Sequence, residues 1–162
     1  MTAEIHHIEN YRAPAVIPRA LTELKSWLVW RLVQKPGEKK PRKVPFYASG
    51  APRGWPNGRP HDGVPTEAQP QVKQGTPLDR GALVSYERAV AACEKGKYSG
   101  LGLAVLAGDH VVALDFDHCV DKGAIDQRVA VLVSDTYAEI SPSGTGIRAI
   151  MRGDNATKKE NA

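Results

Sequence analysis

The sequence predicts an α+β fold, with a mixed or antiparallel sheet flanked by helices. Three observations carry this. Short runs rich in Val, Ile, Leu and Trp recur at 26–33, 98–107, 111–119, 136–140 and 147–151, with the composition of strands. Turn signals such as Gln34-Lys-Pro-Gly and Gly108-Asp-His separate neighbouring runs by few residues, which favours hairpins. Two stretches, Leu83 to Lys95 and Gln127 to Val133, read as helices instead.

Composition sets outer limits. The chain has 162 residues, of which 41% are hydrophobic and 25% charged, as expected of one soluble domain with a real core. No apolar run approaches membrane-spanning length, and the N-terminus lacks the pattern of a signal peptide. Cys93 and Cys119 have no metal-ligand spacing and read as reduced thiols of a cytoplasmic protein. Eight basic residues lie between Arg31 and Arg59 against Glu38 alone, a net +7. The whole chain carries +4, so the remainder sums to −3, and one part of the surface should attract polyanions.

In chain order, residues 1–16 form a polar, flexible lead-in, where adjacent His6 and His7 are metal candidates but more ordinarily solvated. Pro18 suits the start of a helix, with Leu21 and Leu24 on one face. Ser26 to Val33 reads as a buried strand in which Trp27 and Trp30 serve the core; base stacking is the less favoured use of these rings. Beyond the Pro36-Gly37 turn, a return strand carries Lys43 and ends at Pro45. Lys39, Lys40, Arg42 and Lys43 are candidate contacts to nucleic-acid or nucleotide phosphates, with a solvated loop as the alternative. Pro and Gly are dense over about 48–77, which predicts a long, mobile surface loop pinned by Trp55. Ser85 caps the first long helix, with Ala89, Val90 and Cys93 on one side, and Gly96 stops it. The glycines flanking Leu101 open a strand that turns at Gly108 into the next, an expected antiparallel pair.

That next strand, Val-Val-Ala-Leu-Asp-Phe-Asp-His-Cys from Val111 to Cys119, organises the chain. Alternation puts Asp115 and Asp117 on one side with Phe116 packed behind them. Two neighbouring carboxylates repel, and Mg²⁺ or Mn²⁺ relieves that conflict with hard oxygen ligation; an idle, solvated Asp-x-Asp is the alternative. A later strand delivers Ser141-Pro-Ser-Gly-Thr-Gly-Ile-Arg. Gly144 and Gly146 permit unusual backbone geometry, and the hydroxyls of Ser141, Ser143 and Thr145 can donate to phosphate, although such clusters are also ordinary turns. Arg148 interrupts an apolar strand and needs a partner, for which an anion at the preceding loop would serve.

Together the residues carry a family resemblance. Ile-Pro-x-x-Leu, Trp-Leu-Val-Trp-Arg, Lys-Val-Pro-Phe, Tyr-Ser-Gly-Leu-Gly-Leu, Leu-Asp-Phe-Asp-His-Cys and Glu-Ile-Ser-Pro-Ser-Gly-Thr-Gly occur in order over about Ile17 to Gly153. This set resembles phage and plasmid primase-polymerase domains of the archaeo-eukaryotic primase superfamily. The resemblance implies an archaeo-eukaryotic-primase-like fold with an RRM-like catalytic module, in a domain spanning 17–153. It also implies DNA replication chemistry: Mg²⁺- or Mn²⁺-dependent nucleotidyl transfer from nucleoside triphosphates on a single-stranded DNA template, with a replicative helicase domain or protein as a further partner. Asp115 and Asp117 match the family's metal-binding, catalytic pair. Ser141, Ser143, Gly144 and Gly146 match its nucleotide loop, to which Thr145 belongs.

Two departures accompany it. Arg148 stands where the family usually has a histidine on the nucleotide phosphates; arginine binds phosphate bidentately and stays charged. The family's third catalytic acid lies on a later strand, and no residue here clearly matches it. The expectation is a domain truncated at the polar tail 154–162, weak or inactive by itself, or else a non-catalytic nucleotide- or nucleic-acid-binding module of a phage or plasmid replication protein. A metal-dependent hydrolase ranks last, because the further His and Asp ligands are missing.

Overall fold

Apolar side chains on both sides of the run from Trp27 onward make it a strand buried on two faces where it begins. The structure, a computed structural model, describes residues 17–34, 36–39, 41–141 and 143–153. In chain order the elements are α1 (Arg19–Thr22), β1 (Trp27–Val33), β2 (Arg42–Phe46), α2 (Pro77–Ala82), α3 (Tyr86–Lys95), β3 (Gly100–Leu103), β4 (Val111–Phe116), β5 (Val120–Asp121), β6 (Ala124–Ile125), α4 (Gln127–Val133), β7 (Tyr137–Ile140) and β8 (Ile147–Arg152). This is a small α+β fold with antiparallel sheets and few helices. It divides into two compact units, one of Thr22–Leu106 and one of residues 17–21 with 107–153. His6, His7, the rest of the lead-in, Lys40 and the tail 154–162 lie outside the described residues.

The Thr22–Leu106 unit holds a sheet in the order β2-β1-β3. The expected hairpin forms, with Val29 opposite Phe46 and Val33 opposite Arg42, and β2 runs one residue past Pro45. Trp27 is buried and meets the Tyr86 ring edge-on at 5.0 Å, while Val29 is wholly buried. Leu28, on the other face, joins Tyr47, Leu83, Ala104 and Leu106 in a second cluster. Trp30 departs from the core role expected of it and is only half-buried.

Up to α2, which begins at Pro77, the long connection over 48–76 contains no helix or named strand, as its Pro and Gly content predicts, yet it is packed rather than free. Trp55 is buried there. The anchor is a buried polar network: Asp79 accepts from Tyr47 Oη at 2.7 Å, from Arg53 Nε and Nη2 at 3.2 and 3.0 Å, and from the Gly75 N–H at 2.7 Å. Burial pushes the Asp79 carboxyl upward, but the bonds from Arg53, Gly75 and Tyr47 outweigh it and hold the group below the usual carboxylate range. Burial, chiefly, pushes the Tyr47 phenol up to about 12. Asp79 sits on α2, a helix that the loop composition hides; Thr76 caps it and Pro77 opens it. The next helix starts at Tyr86 rather than Leu83, because Leu83 and Val84 are extended and Val84 bridges to Trp27.

β3 does not pair with β4 across Gly108, contrary to expectation; its partner is β1. Side-chain bulk explains the choice. Gly102 lies opposite Leu28 and Gly100 opposite Trp30. A Cβ would stand 2.7 Å from Leu28 Cδ1 at Gly102 and 3.1 Å from the indole at Gly100, so glycines here leave the room in which these side chains cross the strand.

In the other unit β8, not β4, is the middle strand of the order β4-β8-β7. One face of this sheet, with Phe116, Ala138, Ile140, Ile147 and Ala149, packs on Val129, Ala130 and Val133 of α4, while Val120 and Ile125 close the core beside it. α4 has the bounds expected from sequence, and the Asp126 carboxylate caps it by accepting from the Arg128 N–H. The opposite face of the sheet carries the polar residues treated next.

Candidate functional site

β4 reaches Asp115 with its apolar residues paired to β8, turns Phe116 into the α4 core, and stops there. Asp117 therefore belongs to the turn rather than to a continuing alternation. His118 holds a left-handed φ of 53°, which histidine tolerates better than most residues, and the Cys119 thiol donates to the Phe116 carbonyl at 3.2 Å. Asp115 and Asp117 are both exposed at this strand end.

The Ser141–Gly146 loop closes on the same place. Gly146 is buried, and a Cβ there would lie 2.8 Å from the Phe116 carbonyl oxygen and 3.7 Å from Asp117 Cα. The Val120 N–H donates to the Thr145 carbonyl at 3.1 Å, tying the segment after Asp117 to the loop. The loop's shape comes from its own hydroxyls. Ser141 Oγ lies 2.9 Å from Ser143 Oγ, which lies 3.0 Å from Thr145 Oγ1. The Gly146 N–H donates to Ser141 Oγ, and the Gly144 N–H to the Ser141 carbonyl. Gly144 takes a φ of +76°, open to glycine at little cost. Ser143, Gly144 and Thr145 face solvent, so the hydroxyls of Ser143 and Thr145 are within reach of an incoming anion.

Arg148 has a partner of a kind the sequence did not suggest. Register puts it between Asp115 on β4 and Glu139 on β7, and its Nε donates to Asp115 Oδ1 at 2.7 Å. One row across three strands thus reads Asp115, Arg148, Glu139, all on the face away from α4. Glu139 was missed in the sequence, although alternation along Tyr137–Ile140 was a signal that could have placed it. Further along this face a cavity of about 440 Å³ is lined by Leu21, Val111, Tyr137, Ile150 and Arg152, with Asp109 and Asp135 at its margin.

The basic residues sit in the other unit. Arg42 is held by Glu38 through two contacts, of 2.8 and 2.6 Å. Lys43 carries its ammonium 4.2 Å over the Trp30 ring, and Lys39 is exposed.

The donor chemistry at the β4 end fits a hard divalent cation in kind: two exposed carboxylates, with room for phosphate and water oxygens to complete the set. Arg148 already engages one Asp115 oxygen, so a cation held there would share that carboxylate with a guanidinium. Among the described residues no group of three or more His, Cys, Asp and Glu side chains stands ready as a protein-only metal cage. No helix of the described residues is long and apolar enough to cross a membrane. No protein-family model matches the sequence, and no curated protein matches it.

Proposed function

We propose that this chain is a primase-polymerase-like domain of the archaeo-eukaryotic primase kind, built for nucleotidyl transfer on a single-stranded template. One observation carries the reading: the carboxylate-bearing end of β4 and the Ser141–Gly146 loop, separate motifs in the sequence, abut at Gly146. A nucleoside triphosphate needs both, a donor-rich loop for its phosphates and carboxylates beside them. In this reading the hydroxyls of Ser143 and Thr145 turn outward to the phosphates. Arg148 exchanges part of its hold on Asp115 for a phosphate oxygen, which a fork of guanidinium donors can do without losing the carboxylate. Asp115 and Asp117 would hold Mg²⁺ or Mn²⁺, which when bound supplies neutralisation of the triphosphate charge and a more acidic primer hydroxyl.

Non-catalytic nucleotide binding is the second reading, favoured by the Arg148–Asp115 contact, which ties up one of the two carboxylates. The two readings share a first test. A thermal shift with Mn²⁺ and a nucleoside triphosphate should exceed that with either alone, since ligands that prefer the native state stabilise it. Asp115→Asn with Asp117→Asn should remove the metal-dependent part; identical shifts in that protein and the wild type would end the metal assignment.

A further inference from the structure

We infer that the open face of the β2-β1-β3 sheet binds single-stranded nucleic acid by stacking an unpaired base on Trp30. The inference deepens the proposed function, because it names where a template strand is held, but it rests on a different unit of the chain. Strand alternation places Leu28, Trp30 and Leu32 on one face of β1. The face is covered at one end only. Leu28 is packed in its cluster, whereas Trp30 is half-buried and Leu32 is 50% exposed.

Three contacts fix the indole as a platform. Its ring lies across Gly100, within 3.1 Å of where a Cβ would stand. Its N–H is committed to the Leu101 carbonyl at 2.8 Å, which sets the ring's orientation in its plane. The Lys43 ammonium, on the neighbouring strand β2, lies 4.2 Å from the ring centroid. Such a cation–π contact at an exposed site is weak and exchangeable. A base entering over the ring displaces the ammonium onto the adjoining phosphate, so the same two residues supply stacking and charge. Immobilising the ring beforehand spares the entropy that a mobile aromatic would lose on binding.

Charge complementarity selects the occupant. Trp30 and Leu32 lie against the strand that carries Arg42 and Lys43, in a stretch from Arg31 to Arg59 with eight basic residues against one acidic, of which Arg53 is spent on Asp79 and Arg42 on Glu38. An acidic polymer that presents flat apolar rings between its charges fits this surface; a duplex, whose bases are already stacked, offers only its phosphates.

The test is fluorescence anisotropy with a labelled 12-mer of thymidine, an abasic strand of equal length, and a duplex, without metal or nucleotide. Base–aromatic stacking of the usual strength corresponds to about five- to hundredfold in affinity. The wild type should therefore prefer the thymidine strand to the abasic one by a factor in that range, and to the duplex. Trp30→Leu should erase the preference between the first two, Trp30→Phe should keep most of it, and Lys43→Gln should flatten the salt dependence by about 0.7 log units per decade of salt. A Trp30→Leu protein that fails to fold leaves the wild-type ratio and the Phe variant to decide. Equal wild-type affinity for thymidine and abasic strands, or an unchanged ratio in Trp30→Leu, overturns the inference. Thermal shifts with Mn²⁺ and a nucleoside triphosphate separate the two proposals: strand preference intact alongside shifts that are identical in the wild type and the double Asn protein condemns the nucleotidyl-transfer reading and not this one.

Discussion

Arg148 donates from Nε to Oδ1 of Asp115 at 2.7 Å, across the β8–β4 register, with the Glu139 backbone paired to its other side. The pair is partly exposed, with side-chain exposures of 37% and 58%, so its attraction is screened and its share of stability small. Its importance is local. A cation beside Asp115 weakens the carboxylate's pull on a divalent metal, yet provides a fixed positive group for phosphate.

Opposite responses to metal and to nucleotide should follow from removing it. Arg148→Ala should change unfolding free energy by less than about 1 kcal/mol. The thermal shift with Mn²⁺ alone should be equal or larger than in the wild type, while the added shift from the triphosphate should shrink. Equal loss of both shifts would show that Arg148 merely holds the sheet together.

Gly146 gives a steric prediction. A methyl group there meets the Phe116 carbonyl, which is backbone and cannot swing aside. Gly146→Ala should cost about 1–3 kcal/mol, the usual range for overpacking, and should push the loop off the end of β4. Nucleotide-dependent stabilisation should fall while Mn²⁺-dependent stabilisation persists, as read by calorimetry with each ligand separately. A fully retained nucleotide response would mean that the loop and the carboxylates do not act together.

The network at Asp79 predicts a pH window at each extreme. The Asp79 carboxyl lies below its ordinary range, so its contribution is complete above the unfolded pKa and is lost as pH falls through the lowered folded value. The Tyr47 phenol is raised to about 12, so its contribution is complete below about pH 10 and is lost as pH climbs towards about 12. Tyr47→Phe should abolish that alkaline decline, and the two proteins should converge in stability as pH rises from 8 to 11.5. Asp79→Ala should cost about 3–5 kcal/mol, because it strands Arg53 in a buried position, and should open the 48–77 segment to protease. An unchanged cleavage pattern would mean that this network does not anchor the loop.

What was legible in the sequence divides along a physical line. α4 could be read to its ends, because Asp126 caps a short run with buried residues at helical spacing. β1, β7 and β8 could be read because β-branched and aromatic residues cluster between breakers. Pairing was less legible: β3 goes to β1 because Gly100 and Gly102 fit beneath Trp30 and Leu28, a complementarity invisible to either segment alone. The Asp79 anchor joins residues 26 and 32 positions apart within Pro- and Gly-rich sequence that locally says only loop. In the candidate site, Asp115, Asp117 and the glycines were visible as motifs. The Arg148–Asp115 contact and the place of Glu139 depend on a register between three strands that no local pattern encodes.

That same register leads to the last prediction, on activity. Phosphoryl transfer depends on positioning and on neutralising developing charge, so a misplaced metal ligand costs more than a lost peripheral contact. Glu139 is the carboxylate that shares a row with Asp115, but β8 lies between them. Two strand spacings set their backbones roughly 9–10 Å apart, and Arg148 occupies the space between. Among the described residues Glu139 does not join Asp115 and Asp117 in a three-carboxylate group, and Arg148 holds the side of Asp115 that faces it. The chain should bind metal, nucleotide and single strand yet extend a primer poorly or not at all. Arg148→His, which restores the residue usual in the resembled family, should not rescue extension, because it leaves the carboxylates where they are. The measurement is extension of a labelled primer with Mn²⁺ and all four deoxynucleotides, with the Asp115→Asn, Asp117→Asn protein as control. Robust extension that disappears in the control would overturn this prediction and show that two carboxylates suffice here.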